Sequence, residues 1–194
     1  VSLNGDLTEI LFDLGFGANV VAIDVTTTYP EEAVALPMVG FGQMLAPEGV
    51  LAFGPTLVIG DQQIGPPETV QQLRDAGVPV VILETQTTLG GIQKKIRDVA
   101  SIVDAPDAGQ ALAERVQGEI DAALALVPSA EAAPKVAYVY ARGPQTLFLF
   151  GGGMPTQAMI EGAGAVDVGA GAGVFGPAPL TPEALIGAAP DVIV

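Results

Sequence analysis

Apolar positions along this chain switch between two rhythms, short contiguous runs and helical spacing, and the switches outline an α/β protein. Residues 1–4 read as a short strand. Leu7, Ile10, Leu11 and Leu14 then recur at the spacing of one helix face. Asp6 with Glu9 three residues on resembles a capping box with Asp in the cap role, and Gly15 supplies the stop. Residues 20–24 predict a second strand, 47–53 a short helix opened by Pro47, and 56–60 a buried strand. Pro66 and Pro67 open a helix that puts Val70, Leu73 and Ala76 on one face and stops at Gly77; residues 78–83 close the unit as a strand. Strands alternating with helices of this length predict a parallel sheet covered on both faces, an α/β lobe over residues 1–85.

Residues 86–134 read as a helical linker. One helix covers 89–103 and carries Lys94, Lys95 and Arg97 on what reads as a solvated face. Apolar residues at 112, 116, 120 and 124 predict a helix over 106–127. At 1.5 Å per residue it would be about 30 Å long, enough to run from one lobe to another. Residues 129–134 then form a linker. A second α/β lobe over 135–194 follows, with a strand over 135–141, a turn at Gly143-Pro144 and a strand over 146–150. Gly151-Gly152-Gly153 leads into a helix containing Ala158, Met159 and Ile160, then a short strand near Val166. A Gly/Ala-rich loop to Pro179, a helix over 182–188 and a strand over 191–194 complete the lobe.

The two lobes share a segment. The stretch beginning Pro47-Glu48 matches the one beginning Pro182-Glu183 without gaps, each running through a helix and a proline into a buried strand. Proline in the first turn and glutamate near the positive end of the helix dipole give each copy a local reason. The corresponding positions favour duplication of one unit.

Composition narrows the chemistry. Only seven Lys and Arg against a net charge of −15 argue against nucleic acid, whose phosphates need cations. The absence of cysteine excludes disulfides, Fe–S clusters and thiolate zinc sites, and the absence of histidine removes Ser-His-Asp triads and histidine-based metal sites. No apolar run reaches the roughly 20 residues of a membrane span. Both ends of the sequence fall inside expected strands, so a targeting segment and the rest of the second lobe are expected outside it.

Motifs for catalysis are absent. Gly171-Ala-Gly-Val-Phe-Gly176 satisfies G-x-G-x-x-G, yet Pro177 and Pro179 stand where a phosphate-binding helix must begin. No spacing of carboxylates marks an acid/base pair, so an enzyme, for instance an α/β nucleotide-binding enzyme, is poorly supported. The informative aromatic is Tyr29, one of three tyrosines, placed where a strand opens into the polar loop Asp24-Val-Thr-Thr-Thr-Tyr-Pro. Two roles stand open from local sequence: a ring packed on Pro30, or a phenolate ligand to ferric iron. Free tyrosine has a pKa near 10, but Fe³⁺ can replace the proton.

Several of these stretches together resemble a known family. Residues 1–11, the Tyr29-Pro30 loop at 24–30, Leu36-Pro-Met-Val-Gly at 36–40, Gly65-Pro-Pro-Glu at 65–68, Ala76-Gly-Val-Pro-Val-Val at 76–81 and the Gly151–Gly153 turn are similar to periplasmic haem-binding proteins of haem ABC importers. The resemblance covers nearly the whole chain. Its strand pattern and Pro-Glu helix starts are shared with cobalamin- and ferric-siderophore-binding relatives. It implies two Rossmann-like lobes with parallel sheets joined by a long α-helix, a class III periplasmic binding protein, with ligand held between the lobes. It further implies that Tyr29 is an axial ligand to haem iron, and that Glu48 and Glu183 form salt bridges to arginines on the membrane permease. Transport would then be driven by the permease's ATPase, with no covalent chemistry and no enzyme activity. Some members use a second-lobe histidine as the other axial ligand, which this chain lacks. Iron is then expected to be five-coordinate through Tyr29 or to take a weak partner such as Met154. Arg142 is a candidate counter-charge for a haem propionate, or an exposed arginine beside a turn. A periplasmic or extracytoplasmic location, with or without a lipid anchor, goes with this resemblance.

Overall fold

A computed structural model of the chain describes residues 1–128, 133–143 and 146–194. It divides into two compact units, Val1–Thr85 with Gln93–Arg115, and Gln86–Ile92 with Val116–Val194.

Unit 1 is built on β1 (Ser2–Leu3), β2 (Val58–Asp61) and β3 (Val80–Leu83), which pair in parallel in the order β1-β2-β3. Leu3 lies opposite Gly60, and Gly60 opposite Ile82. Single parallel bridges from Ser2 to Ile23 and from Ile23 to Met38 widen the sheet. The strand expected over 20–24 is thus reduced to Ile23. The chain turns at Asp24, whose carboxylate takes the amide and hydroxyl of Thr26 and so ends the extended run. Helices α1 (Gly5–Asp13), α2 (Glu31–Val34), α3 (Pro47–Leu51), α4 (Pro67–Asp75) and α5 (Gly91–Ile102) accompany the sheet.

Adjacent β2 residues point to opposite faces, as the strand period requires. Val58 joins Leu3, Val50, Leu73 and Val80 in one core, while Ile59 joins Leu7, Leu11, Ile23 and Val99 in the other. Each of these side chains is at most 8% exposed, so truncating one of the large ones to alanine costs about 2–5 kcal/mol.

Two charged residues take places the sequence did not suggest. Asp6 does not cap α1: the helix begins at Gly5 behind Asn4, and the Asn4 side chain makes no capping hydrogen bond. The turn needs glycine there, because a Cβ on Gly5 would lie 2.7 Å from the Thr26 carbonyl oxygen. Asp6 instead pairs with Lys95, which is only 5% exposed and does not belong to a solvated face. Its neighbour Lys94 is exposed and bonds Asp98 at 2.6 Å, which pushes its ammonium pKa up.

The long helix, α6 (Pro106–Leu124), is about 28 Å by its rise. It belongs to unit 1 through Arg115 and to unit 2 from Val116. The expected linker at 129–134 and turn at Gly143-Pro144 fall, at residues 129–132 and Pro144, outside the described residues.

Unit 2 contains β4 (Lys135–Ala137), β5 (Val139–Ala141), β6 (Leu147–Phe150), α7 (Pro155–Gly162) and β7 (Val166–Asp167). These are followed by α8 (Val168–Gly171), β8 (Pro177–Pro179), α9 (Pro182–Ala188) and β9 (Val192–Ile193). A parallel sheet in the order β7-β4-β9 stands beside an antiparallel one, β5-β6-β8. The single strand expected over 135–141 therefore breaks at Tyr138. The Tyr138 carbonyl accepts from Phe150 N–H, whereas Val139 N–H donates to Val194, so consecutive residues serve different strands. The Gly/Ala-rich stretch, read as a loop, holds α8 and β8. Asp167 caps α8 by accepting from the amides of Gly169 and Ala170.

The repeated segments take the same local form. α3 leads into β2, which pairs with β1; α9 leads into β9, which pairs with β4. Among the described residues no helix is long and apolar enough to cross a membrane.

Candidate functional site

The unit 1 sheet presents a polar edge at the carboxyl ends of its strands, the side on which open α/β sheets bind ligands. Asn4, Asp24 and Asp61 leave the strand region there and line a cavity of about 270 Å³ with Thr26, Phe41 and Gln43. Asp61 accepts from Asn4 Nδ2 at 2.7 Å and from the Gln63 amide at 2.8 Å. Asp24 is buried, which pushes its carboxyl above the ordinary range. Hydrogen bonds from Thr26 and Thr27 oppose the shift, and the neighbouring Asp61 adds to it.

Tyr29 stands on the loop leaving this edge, 61% exposed, with a cis peptide to Pro30. The loop beneath it is tied down. Thr26 Oγ1 donates to Asp24 at 2.7 Å and accepts from the Gly5 amide at 3.0 Å. Thr27 turns inward, 2% exposed, and meets the Thr8 hydroxyl at 3.2 Å; Thr8 in turn donates to Ser2 at 2.8 Å. Met38, Phe41 and Met44, which follow α2, are also exposed, so apolar surface accompanies the phenol in this part of unit 1. A second cavity, of about 210 Å³, opens at the strands' amino-terminal end among Val1, Phe16, Val21 and Thr56. It carries no ionisable side chain that could fix a ligand.

The other residues singled out from sequence are distributed over both units. Glu48 is exposed in the first turn of α3 in unit 1. Glu183 is exposed in the first turn of α9 in unit 2, where Thr181 caps the helix through the Ala184 amide. Within unit 2, Met154 is the half-buried residue preceding α7, and Arg142 is exposed just after β5. β6 runs back so that Phe150 bonds Tyr138, which sets the Gly151–Gly153 turn level with the carboxyl end of β4. Arg142 lies at the far end of β5 from Tyr138, four residues on. Among the described residues no group of three or more acidic side chains could hold a metal ion. Gly171 ends α8 and Gly176 precedes β8, so the G-x-G-x-x-G stretch opens no helix.

Sequence inspection overlooked Ser2, Thr8 and Thr27. The only trace was the run of three threonines before Tyr29; that the middle one is buried depends on partners distant in the chain.

A family model described as periplasmic binding protein matches residues 1–194. The periplasmic haem-binding protein RhuT from Roseiflexus sp. RS-1, in its apo form, is 44% identical with a TM-score of 0.94, over 99% of this chain and 73% of that one. The periplasmic haem-binding protein BhuT, solved with two haems, is 36% identical with a TM-score of 0.87, over 99% and 74%. A vitamin B12-binding protein of Vibrio campbellii is 29% identical over 140 residues, 72% of this chain and 50% of that protein. The chain thus spans about half the length of the curated relatives that head this comparison.

Proposed function

The chain belongs to the periplasmic binding protein family, and from that membership we propose that it captures haem outside the cytoplasm and delivers it to an ABC permease. The family is one of binding proteins, not enzymes. The observation that carries the haem assignment is Tyr29: a phenol 61% exposed, on an anchored loop at the carboxyl edge of a parallel sheet, in a chain without histidine or cysteine. Ferric iron accepts a phenolate by displacing its proton, and exposed Met38, Phe41 and Met44 offer apolar surface suited to a porphyrin face. Identities of 44% and 36% to two haem-binding proteins support the same ligand.

In this proposal Tyr29 is the axial ligand, Met154 a weak opposing one, and Arg142 a counter-charge for a propionate. Glu48 and Glu183, exposed on corresponding helix starts, dock on permease arginines while the permease's ATPase drives release. Ferric haem titrated into the protein and its Tyr29→Phe variant tests this by absorbance. Wild type should bind with a tyrosinate–iron spectrum that the variant loses. Equal affinity and identical spectra would remove Tyr29 from the iron.

Cobalamin is the second reading, favoured by the similarity to vitamin B12-binding proteins. Competition of cobalamin or a ferric siderophore against haem decides it; the tighter ligand is the cargo.

A further inference from the structure

We propose that Thr27 is the positioning residue for Tyr29: a buried hydroxyl chain Ser2–Thr8–Thr27 locks the ligand loop to β1 and α1 before any ligand arrives. This rests on the reading of Tyr29 as the iron ligand. Ser2 and Thr8 are 0% exposed and Thr27 2%, an unusual depth for three hydroxyls on separate stretches of chain. They bond one another at 2.8 and 3.2 Å; the Thr8 proton is shared between Ser2 Oγ and the Asn4 carbonyl at 3.1 Å, and the Thr27 hydroxyl also reaches the Asp24 carboxylate. Thr26 and Thr28, on either side, face solvent. The loop therefore turns one threonine of three inward, onto the Thr8 hydroxyl, which links it to the strand and the helix together.

Two further contacts hold the same turn. Thr26 bridges the Asp24 carboxylate and the Gly5 amide, and the Thr27 amide donates to the Asp24 carbonyl at 3.3 Å. Gly5 lets the loop close on α1, since any Cβ there would strike the Thr26 carbonyl. An exposed phenol on a free loop would lose affinity to the ordering of its backbone at the moment of binding. A loop fixed two residues away by a buried hydrogen bond has met that cost during folding.

The test uses the full chain with Thr27→Val, which keeps the shape and removes the hydroxyl, and Thr27→Ser, which keeps the hydroxyl. Amide hydrogen exchange reads the loop without ligand; haem titration reads the phenolate. Thr27→Val should lose protection at the Thr26 and Thr27 amides while β2 and α1 stay protected. It should bind haem about tenfold more weakly, the scale of one buried hydrogen bond, with a shifted iron spectrum. Thr27→Ser should match wild type in both. Should Thr27→Val not fold, Thr8→Val removes the partner hydroxyl from the other side and must give the same loop-specific loss. Unchanged exchange in the valine variant, or equal damage from valine and serine, overturns the proposal. If Tyr29→Phe binds haem as wild type does, the iron-ligand reading and the positioning role resting on it both fail, whereas the exchange result still shows whether the hydroxyl chain holds the loop.

Discussion

Gly109→Ala probes how the long helix is seated on unit 1. Gly109 lies in α6 where it crosses α5, and an added Cβ would overlap the Ala100 Cβ, far inside the 3.0 Å that such atoms respect. Ala100 is 0% exposed, so the methyl it presents cannot rotate away and only the helix axes can separate. Alanine should gain about 0.5–1 kcal/mol of helix propensity over glycine. Overpacking a tight contact costs about 1–3 kcal/mol. The net expectation is a loss of about 1–2 kcal/mol, or a melting midpoint lower by about 5 °C for a chain of this size. Ala100→Gly alone should cost about 1 kcal/mol through the glycine placed in α5. Together the two changes move one methyl across the same interface, so the double variant should return close to wild type, a coupling of about 2 kcal/mol. Urea unfolding followed by far-ultraviolet circular dichroism measures all four corners of the cycle. A Gly109→Ala protein as stable as wild type, or a double variant no better than the sum of the singles, would refute the close-packed crossing.

Three further outcomes follow from the same structure. Asp6→Ala strands the buried Lys95 ammonium without its carboxylate, whereas Lys95→Met removes the charge and keeps the volume. Urea midpoints should therefore show Asp6→Ala as the more damaging, by on the order of 1 kcal/mol given a half-exposed carboxylate; the reverse order contradicts the pairing. Asp24 has its folded pKa raised above 3.8 by burial, so the folded state keeps a proton that the unfolded chain has released. Stability from this group is full below that pH and declines as pH rises through the folded value. Asp24→Asn should flatten that part of the melting profile, and an unchanged profile would show that Asp24 is not the group responsible. Glu48→Lys with Glu183→Lys should abolish transport into cells while haem affinity in solution survives; lost affinity would place those carboxylates at the ligand instead.

Much of the architecture was legible because local physics repeats it. The spacing of Leu7, Leu11 and Leu14, the proline starts at Pro47, Pro67 and Pro182, and the apolar run in 56–60 each settle an element from within a few residues. The duplicated Pro-Glu segments also foretold that α3–β2 and α9–β9 would take the same form. Tyr29 could be singled out by rarity and by its place after a strand, and its loop could be matched to a family.

What remained hidden depended on residues far apart in sequence. Tyr138 reads as the middle of one strand, but its carbonyl and the next amide bond to strands on opposite sides of a break. Lys95 reads as one of three cations on a helix surface; only α1, carrying Asp6, makes it a buried pair. The sequence alone therefore determined most of the elements, their order and the phenol on its loop, because periodicity and turn chemistry act over a few residues. Tertiary structure alone decided which threonine faces inward, which lysine is buried and where Asp24 meets Asp61, because those energies come from partners that the fold brings together.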